Sequence, residues 1–75
     1  MPTMEVVKIG RNLRRLREDR LLTQAELGEA AGVSRDQVSR IERDDVDPRF
    51  STIRKLARAL EVNPRELTKG GAEDA

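Results

Sequence analysis

The feature that most constrains this chain is the stretch TQAELGEAAGVSRDQVSRIER at 23–43, which contains two helix starts separated by a glycine. TQAE at 23–26 has the form of a capping box, in which the Thr hydroxyl binds an orphan helix amide and the Glu side chain binds the Thr amide. SRDQ at 34–37 repeats this form, and Val33 before it is placed to act as a hydrophobic staple. Gly32 between them suits the left-handed conformation that follows a helix end. The stretch therefore predicts two short helices joined by a tight turn.

Apolar residues at helical spacing predict three further helices around this pair. The apolar positions are Ile9, Leu13 and Leu16 in a first helix, and Ile53, Leu56, Ala57 and Leu60 in a fourth. The first helix ends near Arg20, and the fourth begins near Ser51. Asn63 and Pro64 supply an N-cap and a first helical residue for a last short helix around Leu67.

The chain has 75 residues, enough for one domain, and its composition limits how that domain is built. It contains no Cys and no His, so disulfides, thiolate metal sites and zinc sites are excluded. Phe50 is the sole aromatic residue, which favours an aliphatic all-α core over a sheet. We expect one domain at 1–69 and a disordered C-terminal tail at 70–75.

Composition also narrows the class of function and the location. Without His or Cys, and with no cavity expected in so small a bundle, an enzyme site lacks its usual groups. The apolar runs are too short to span a membrane, and the first residues lack the basic-then-apolar order of a signal peptide. We expect a cytoplasmic, nucleoid-associated protein with no catalytic residues, no metal, no cofactor, no membrane partner and no small-molecule effector.

The distribution of charge is more informative than its sum. Fifteen Lys and Arg against fourteen Asp and Glu leave a formal net charge of +1. Residues 8–20 hold six basic side chains against two acidic ones, whereas Asp44, Asp45 and Asp47 form an acidic cluster. The surface is therefore predicted to be polarised rather than uniformly basic.

Close packing of the two central helices needs a small residue between them, a glycine at the turn and apolar anchors on the second helix. Gly28, Gly32, Val38 and Ile41 meet these needs at the intervals of a helix-turn-helix, whose second helix enters the major groove of DNA. The residues expected to serve core packing or turn geometry, and not to contact a ligand, are Gly28, Gly32, Val38, Ile41, Phe50, Ile53, Leu56 and Leu60.

The chain resembles the phage-repressor and Cro-type family of helix-turn-helix domains, also called XRE-like. The matching segments are IGRNLRRLRE, LTQAELGEAAGVSRDQVSRIER and DPRFSTIRKLARALEVNPREL, which together cover nearly the whole chain. The resemblance implies an all-α, five-helix lambda-repressor-like DNA-binding domain with a central helix-turn-helix. It also implies a sequence-specific transcriptional regulator, a repressor, that reads a palindromic double-stranded DNA operator as a homodimer.

The resemblance further assigns functional positions residue by residue. Base contacts are implied for Arg35, Asp36, Gln37, Ser39 and Arg40, and phosphate contacts for Gln24, Arg43, Arg49, Arg11 and Arg14. Because Arg donates bidentate hydrogen bonds to guanine O6 and N7, Arg35 and Arg40 predict guanines in each half-site. Asp36 either accepts from a cytosine amino group or orients one of these arginines. Gln24 has an alternative role as an ordinary polar residue of a first turn, and Arg11 and Arg14 as part of a solvated helix face.

Two residues are implied to be structural rather than DNA-contacting. Arg17, near the end of the first helix, is expected to pair with Glu42, near the end of the third. Such a pair ties the first helix to the recognition helix, and losing one partner would leave a partly buried charge uncompensated.

A dimer interface is expected because one short helix buries too little surface for tight binding to DNA. We expect the interface at the last helix and the loop before it, with Val62 and Leu67 as contacts. Leu60 and Phe50 are further candidates, and their alternative role is packing in the core of the protomer.

The chain departs from the family after the third helix, where family members commonly carry a glycine and basic or amide residues. Here Asp44 follows Arg43, and Asp44 is able to adopt the left-handed conformation with modest strain. Carboxylates beside phosphates repel them, while Arg43 and Arg49 offset part of this repulsion. The departure predicts moderate DNA affinity with a strong dependence on salt.

A second class of function also fits the sequence, namely an antitoxin-like or adaptor protein-interaction module that keeps the helix-turn-helix scaffold. The low net charge and the acidic loop favour this alternative. Arg35 and Arg40 favour DNA, because a protein interface at the start of the second helix would favour aromatic anchors.

Overall fold

The computed structural model describes residues 8–69, which form five helices and contain no strand. The helices are α1 (Gly10–Asp19), α2 (Gln24–Ala31), α3 (Arg35–Glu42), α4 (Phe50–Leu60) and α5 (Arg65–Thr68). The all-α, five-helix prediction is confirmed. The tail predicted at 70–75 lies outside the described residues.

Both ends of α2 and the start of α3 lie at the capping residues predicted from the sequence, Thr23, Gly32 and Ser34. The Glu26 amide donates to the Thr23 hydroxyl at 3.0 Å, and the Thr23 amide donates to the Glu26 carboxylate at 2.8 Å, which completes the capping box. At the start of α3 the Gln37 amide donates to the Ser34 hydroxyl at 3.0 Å. The return bond from the Ser34 amide to the Gln37 side chain is not formed, so the second predicted capping box is corrected to a single N-cap bond. Gly32 has a φ of 78°, in the left-handed region, and ends α2. The turn between the helices is therefore encoded locally.

One aliphatic core joins all five helices of the described range. Its buried members are Ile9, Leu13, Leu16, Leu27, Ala31, Val38, Ile41, Ile53, Leu56, Ala57, Leu60 and Leu67. The helix pair α2 and α3 packs together, with α4 against α2 and α1 against α3. A Cβ atom at Gly28 would lie 2.7 Å from the Val33 carbonyl oxygen, so only glycine fits where α2 meets the turn into α3. This close approach sets the angle at which α3 is held.

The short helix α5 is held in place by α1. Asn12 donates from its side-chain amide to the carbonyl oxygens of Leu67 and Lys69, both at 2.9 Å. These bonds satisfy carbonyls at the end of α5, which a helix of four residues cannot satisfy by itself. The Asn63 side chain accepts from the Arg65 amide at 2.9 Å and so satisfies the first amide of α5. The N-cap position itself is held by Pro64, one residue later than the sequence predicted.

Two predictions about apolar side chains are corrected by the structure. Phe50 was expected in the core but is 74% exposed, because it is the first residue of α4 and helical side chains lean toward the N-terminus. Its ring therefore has no preceding helical turn to pack on.

Leu67 was expected at a dimer interface but is fully buried in the protomer, as is Leu60. Val62 remains half-buried and packs against the edge of the core.

None of the five helices between residues 8 and 69 combines the length and apolarity needed to cross a lipid bilayer. In the same range no group of three or more acidic side chains is placed to hold a metal ion.

Candidate nucleic-acid interface

The helix α3 has two sharply different faces. Val38 and Ile41 are completely buried and fix the helix on the core. Arg35, Asp36 and Arg40 are exposed on the opposite side. The remaining predicted base-contact residues, Gln37 and Ser39, are half-buried at the edges of this face. A helix anchored in this way presents a rigid, polar and partly cationic surface to solvent.

A groove of about 270 Å³ lies beside this surface, between α3 and the start of α4. Its lining consists of Asp36, Gln37, Arg40, Val46, Asp47, Pro48, Arg49 and Thr52. The structure thus brings Arg49, predicted to contact phosphate, next to three of the predicted base-contact residues. Arg35 and Ser39 lie on α3 but do not line the groove.

An ion pair links two of the exposed residues of α3. The Nε atom of Arg40 lies 3.0 Å from Oδ2 of Asp36, one helical turn earlier. Both side chains are more than half exposed, and such surface pairs on helices stabilise by only about 0.3–0.5 kcal/mol. The pair therefore matters more for where the guanidinium points than for stability.

A buried network holds α3 against α1 and α2. Arg17 donates from Nε and Nη2 to the two oxygens of Glu42, at 2.6 and 3.0 Å, and from Nη1 to the Leu22 carbonyl at 2.8 Å. The Arg17 and Glu42 side chains are only 12% and 4% exposed. The hydrogen bonds and charge of Glu42 raise the pKa of Arg17 against the opposing effect of burial. Arg17 and Glu42 therefore form a structural ion pair, in which Arg17 keeps its charge under all ordinary conditions.

Gln24 also belongs to this network, which sequence reasoning missed. Its Nε2 atom donates to Glu42 Oε1 at 3.0 Å, so Gln24 is fixed by α3 rather than free in solvent. A side-chain amide nitrogen carries two hydrogens, and the second one stays available to a phosphate. No local signal reveals this bond, because its two residues lie 18 positions apart.

The acidic loop after α3 is used within the protein. Asp44 has a φ of 59°, the left-handed conformation expected there. Its Oδ1 atom accepts from the Gly10 amide at 3.1 Å, at the start of α1, where the N-cap residue Ile9 has no polar side chain. Asp44 thus acts as a remote cap for α1 and joins it to the end of α3. A contact between residues 34 positions apart was invisible to the sequence pattern.

Arg43 and Ser39, predicted to contact phosphate and base, are bound to each other. Arg43 donates from Nη1 to the Ser39 hydroxyl at 2.9 Å and from Nε to Asp45 Oδ2 at 3.0 Å. Asp45 thereby restrains Arg43 at the end of α3. The acidic loop is consequently partly neutralised by neighbouring groups, which weakens the repulsion of phosphate expected from the sequence.

The basic face of α1 lies outside the groove. Arg11 and Arg14 are exposed, and Arg14 pairs with Glu18 at 3.1 Å. Neither side chain lines the groove beside α3. The phosphate contacts predicted for Arg11 and Arg14 therefore stay predictions, on a helix face separate from the groove.

Taken together, a short helix packed on a glycine, a left-handed turn and a second helix with an exposed arginine face define a helix-turn-helix DNA-binding domain. Residues 13–67 match the helix-turn-helix family. The chain therefore belongs to the phage-repressor and Cro-type, or XRE-type, branch of that family, a class of DNA-binding transcriptional regulators and not of enzymes.

Two relatives illustrate the family at the level of sequence. An immunity repressor protein of Bacillus phage phi105 is 39% identical over 54 residues, which is 72% of this chain and 38% of the relative. The chain thus spans well under half the length of that repressor. An uncharacterized HTH-type transcriptional regulator, y4dJ, of Sinorhizobium fredii is 39% identical over 59 residues, 79% of this chain and 77% of the relative.

Two solved structures share the fold. The P22 c2 repressor in complex with synthetic operator 9T has a TM-score of 0.77 and 34% identity, covering 83% of this chain and 94% of that one. The restriction-modification controller protein C.AhdI from Aeromonas hydrophila has a TM-score of 0.79 and 40% identity, covering 83% of this chain and 90% of that one. The lambda-repressor-like fold expected from the sequence is confirmed.

Proposed function

We propose that this protein is a sequence-specific repressor of transcription that binds a palindromic operator as a homodimer and inserts α3 into the major groove. The observation that carries the proposal is the division of α3 into a completely buried face, with Val38 and Ile41, and an exposed face with Arg35 and Arg40. The relatives support it, since one is named an immunity repressor and one solved neighbour is a repressor bound to an operator.

In this proposal the arginines of α3 read bases and the surrounding groups position the helix. Arg35 and Arg40 donate to guanines, the commonest specific contact in the major groove. Arg49, which lines the groove beside α3, contacts the phosphate backbone together with Arg43 and Gln24. A location in the cytoplasm with the nucleoid follows from this choice of partner.

A homodimer follows from the small size of the reading surface. The helix α3 has eight residues, which at about 1.5 Å per residue span only a few base pairs. Two copies on half-sites about one helical turn apart would double the contact and explain a palindromic operator. Val62 remains a candidate contact at the edge of the protomer core, whereas Leu67 is unavailable because it is buried.

The direct test is selection of bound sequences from a random duplex library, followed by sedimentation of the protein with the enriched duplex. We expect a palindrome with guanine in each half-site, two protein copies per duplex and binding that weakens steeply with salt. Enrichment of a single, non-repeated site bound by one copy would overturn the homodimer. Absence of any enriched sequence would overturn operator recognition itself.

A second candidate is the antitoxin-like or adaptor module, which binds a partner chain through the same scaffold. Two exposed apolar side chains favour it, Leu21 at 90% and Phe50 at 74% exposure. Exposed aromatic residues are frequent anchors at protein interfaces. A chain that enriches no DNA sequence but keeps a partner bound, and loses that partner on Phe50→Ser, would favour this candidate.

A further inference from the structure

The guanidinium of Arg40 forms an ion pair within the protein, on the face of α3 that is proposed to read DNA. Its Nε atom lies 3.0 Å from Oδ2 of Asp36, and the two residues lie four positions apart on one face of the helix. Asp36 is the more exposed of the two, with 71% of its side chain in solvent against 54% for Arg40. Asp47 and Arg49 line the same groove, and neither forms an ion pair with Asp36 or Arg40 in the described structure.

The position of the Asp36 carboxylate beside Nε determines which end of the Arg40 guanidinium is left open. A guanidinium has five N–H donors, one on Nε and two on each terminal nitrogen. The Asp36 carboxylate lies beside the Nε corner of the guanidinium as an ion-pair partner, so the two terminal nitrogens, which form the end of the planar fork, remain available. A guanine offers O6 and N7 side by side, so this free edge matches it in a bidentate arrangement.

We propose that Asp36 is a positioning residue that holds Arg40 for end-on donation to a guanine and thereby sets specificity at that base pair. The inference rests on the proposed function, since it assumes that α3 reads bases. It resolves the two roles open to Asp36 in the sequence in favour of orienting Arg40. Without Asp36, the long side chain of Arg40 would be free to adopt other rotamers and to donate to a phosphate instead of a base.

The same carboxylate opposes binding to DNA of any sequence. Its exposed negative charge lies on the surface that approaches the phosphates, so it repels every duplex alike. Removing the charge should therefore have opposite effects on affinity and on specificity. A residue that only stabilised the fold would change both in the same direction.

The experiment measures binding of the full chain to its selected operator, to operators changed at single base pairs and to a random duplex. The base pair contacted by Arg40 is identified first, as the position at which Arg40→Ala no longer distinguishes guanine from the other bases. We expect Asp36→Asn to lower the preference for guanine at that base pair by several-fold while binding the random duplex as tightly as the wild type or tighter. In an Arg40→Ala background, Asp36→Asn should leave discrimination at that base pair unchanged.

Two control variants distinguish the ion pair with Arg40 from a general effect of charge. Asp36→Glu retains a carboxylate one turn before Arg40 and should restore part of the preference. Glu29→Gln removes an exposed charge from α2 and should leave the preference for guanine unchanged. Circular dichroism and thermal unfolding of each variant verify that the fold is intact.

Two results would overturn the proposal. If Asp36→Asn removed discrimination at a different base pair, and did so also without Arg40, Asp36 would itself read a cytosine. If Asp36→Asn changed no preference at all, the ion pair would have no role in recognition. A wild-type chain that enriches no sequence is a separate result, which rejects the proposed function before Asp36 is examined.

Discussion

Glu42 accepts hydrogen bonds from two other helices at once, from Arg17 of α1 at 2.6 Å and from Gln24 of α2 at 3.0 Å. Glu42 is the last residue of α3, and its side chain is 4% exposed. A single carboxylate therefore fixes the recognition helix relative to both helices that support it. The position of the exposed face of α3 depends on this buried charge as well as on the apolar core.

Replacing Arg17 by Ala is expected to destabilise the domain strongly. It would leave the buried Glu42 charge without its partner, which costs on the order of 3–5 kcal/mol. This is a large share of the roughly 5–15 kcal/mol by which domains are stable. Urea unfolding measures the loss. The double variant Arg17→Met, Glu42→Leu should be more stable than Arg17→Ala, and a loss below about 1 kcal/mol for Arg17→Ala would contradict a buried pair.

Replacing Gly28 by Ala should destabilise the domain although alanine favours helices. The new methyl group would lie 2.7 Å from the Val33 carbonyl oxygen, so α2 and the turn must move apart. Overpacking of this kind costs about 1–3 kcal/mol. Thermal unfolding compares this variant with Glu29→Ala, the next residue of α2, which is exposed and should be neutral or stabilising. Equal stability of the two variants would show that the close approach is absent in solution.

Asp44 should stabilise α1 through its contact with the Gly10 amide. Asp44→Ala removes this acceptor, and loss of an N-cap interaction costs about 0.5–2 kcal/mol. Asp44→Asn keeps an oxygen acceptor and tolerates the left-handed conformation, so most of the stability should remain. The same Asn variant removes one negative charge and should bind DNA more tightly at low salt. Equal destabilisation by Ala and Asn would show that the charge, not the acceptor, is what α1 needs.

Arg40 and Gln24 should differ in how their loss affects binding to different sequences. Arg40→Ala is expected to cost roughly 1–3 kcal/mol on the operator and to relax preference at one base pair. Gln24→Ala should weaken binding to all sequences about equally, because it removes the proposed phosphate contact. Titrations on the operator and on single-base variants separate the two patterns. Should Arg40→Ala weaken every sequence alike, its role would be positioning rather than reading.

Local signals account for most of the fold. Three kinds of signal act over only a few residues: the capping box at 23–26, the left-handed Gly32 and the apolar spacing of each helix. They can therefore be recognised in the sequence without the tertiary structure. The glycine needed between α2 and α3 could also be predicted, because close helix packing excludes a side chain. The positions of the α3 residues proposed to contact DNA came from resemblance to a family rather than from local chemistry.

The amino-acid sequence by itself determined the helices, their order and the apolar face of most of them, because these depend on capping residues and spacings between near neighbours in the chain. Tertiary structure decided which polar groups meet, and whether an apolar side chain at a helix end is covered. Gln24 and Glu42 are 18 positions apart in the sequence, and Asp44 and Gly10 are 34 apart. Contacts over such separations produce no repeating pattern in the sequence, so they could not be predicted from it. The burial of Phe50 and Leu67 could not be predicted from the sequence either, although both residues are apolar. Phe50 is exposed at the start of α4, whereas Leu67 is buried in α5, next to α1. Burial and hydrogen bonding at these positions depend on where the helices stop and which helix lies opposite.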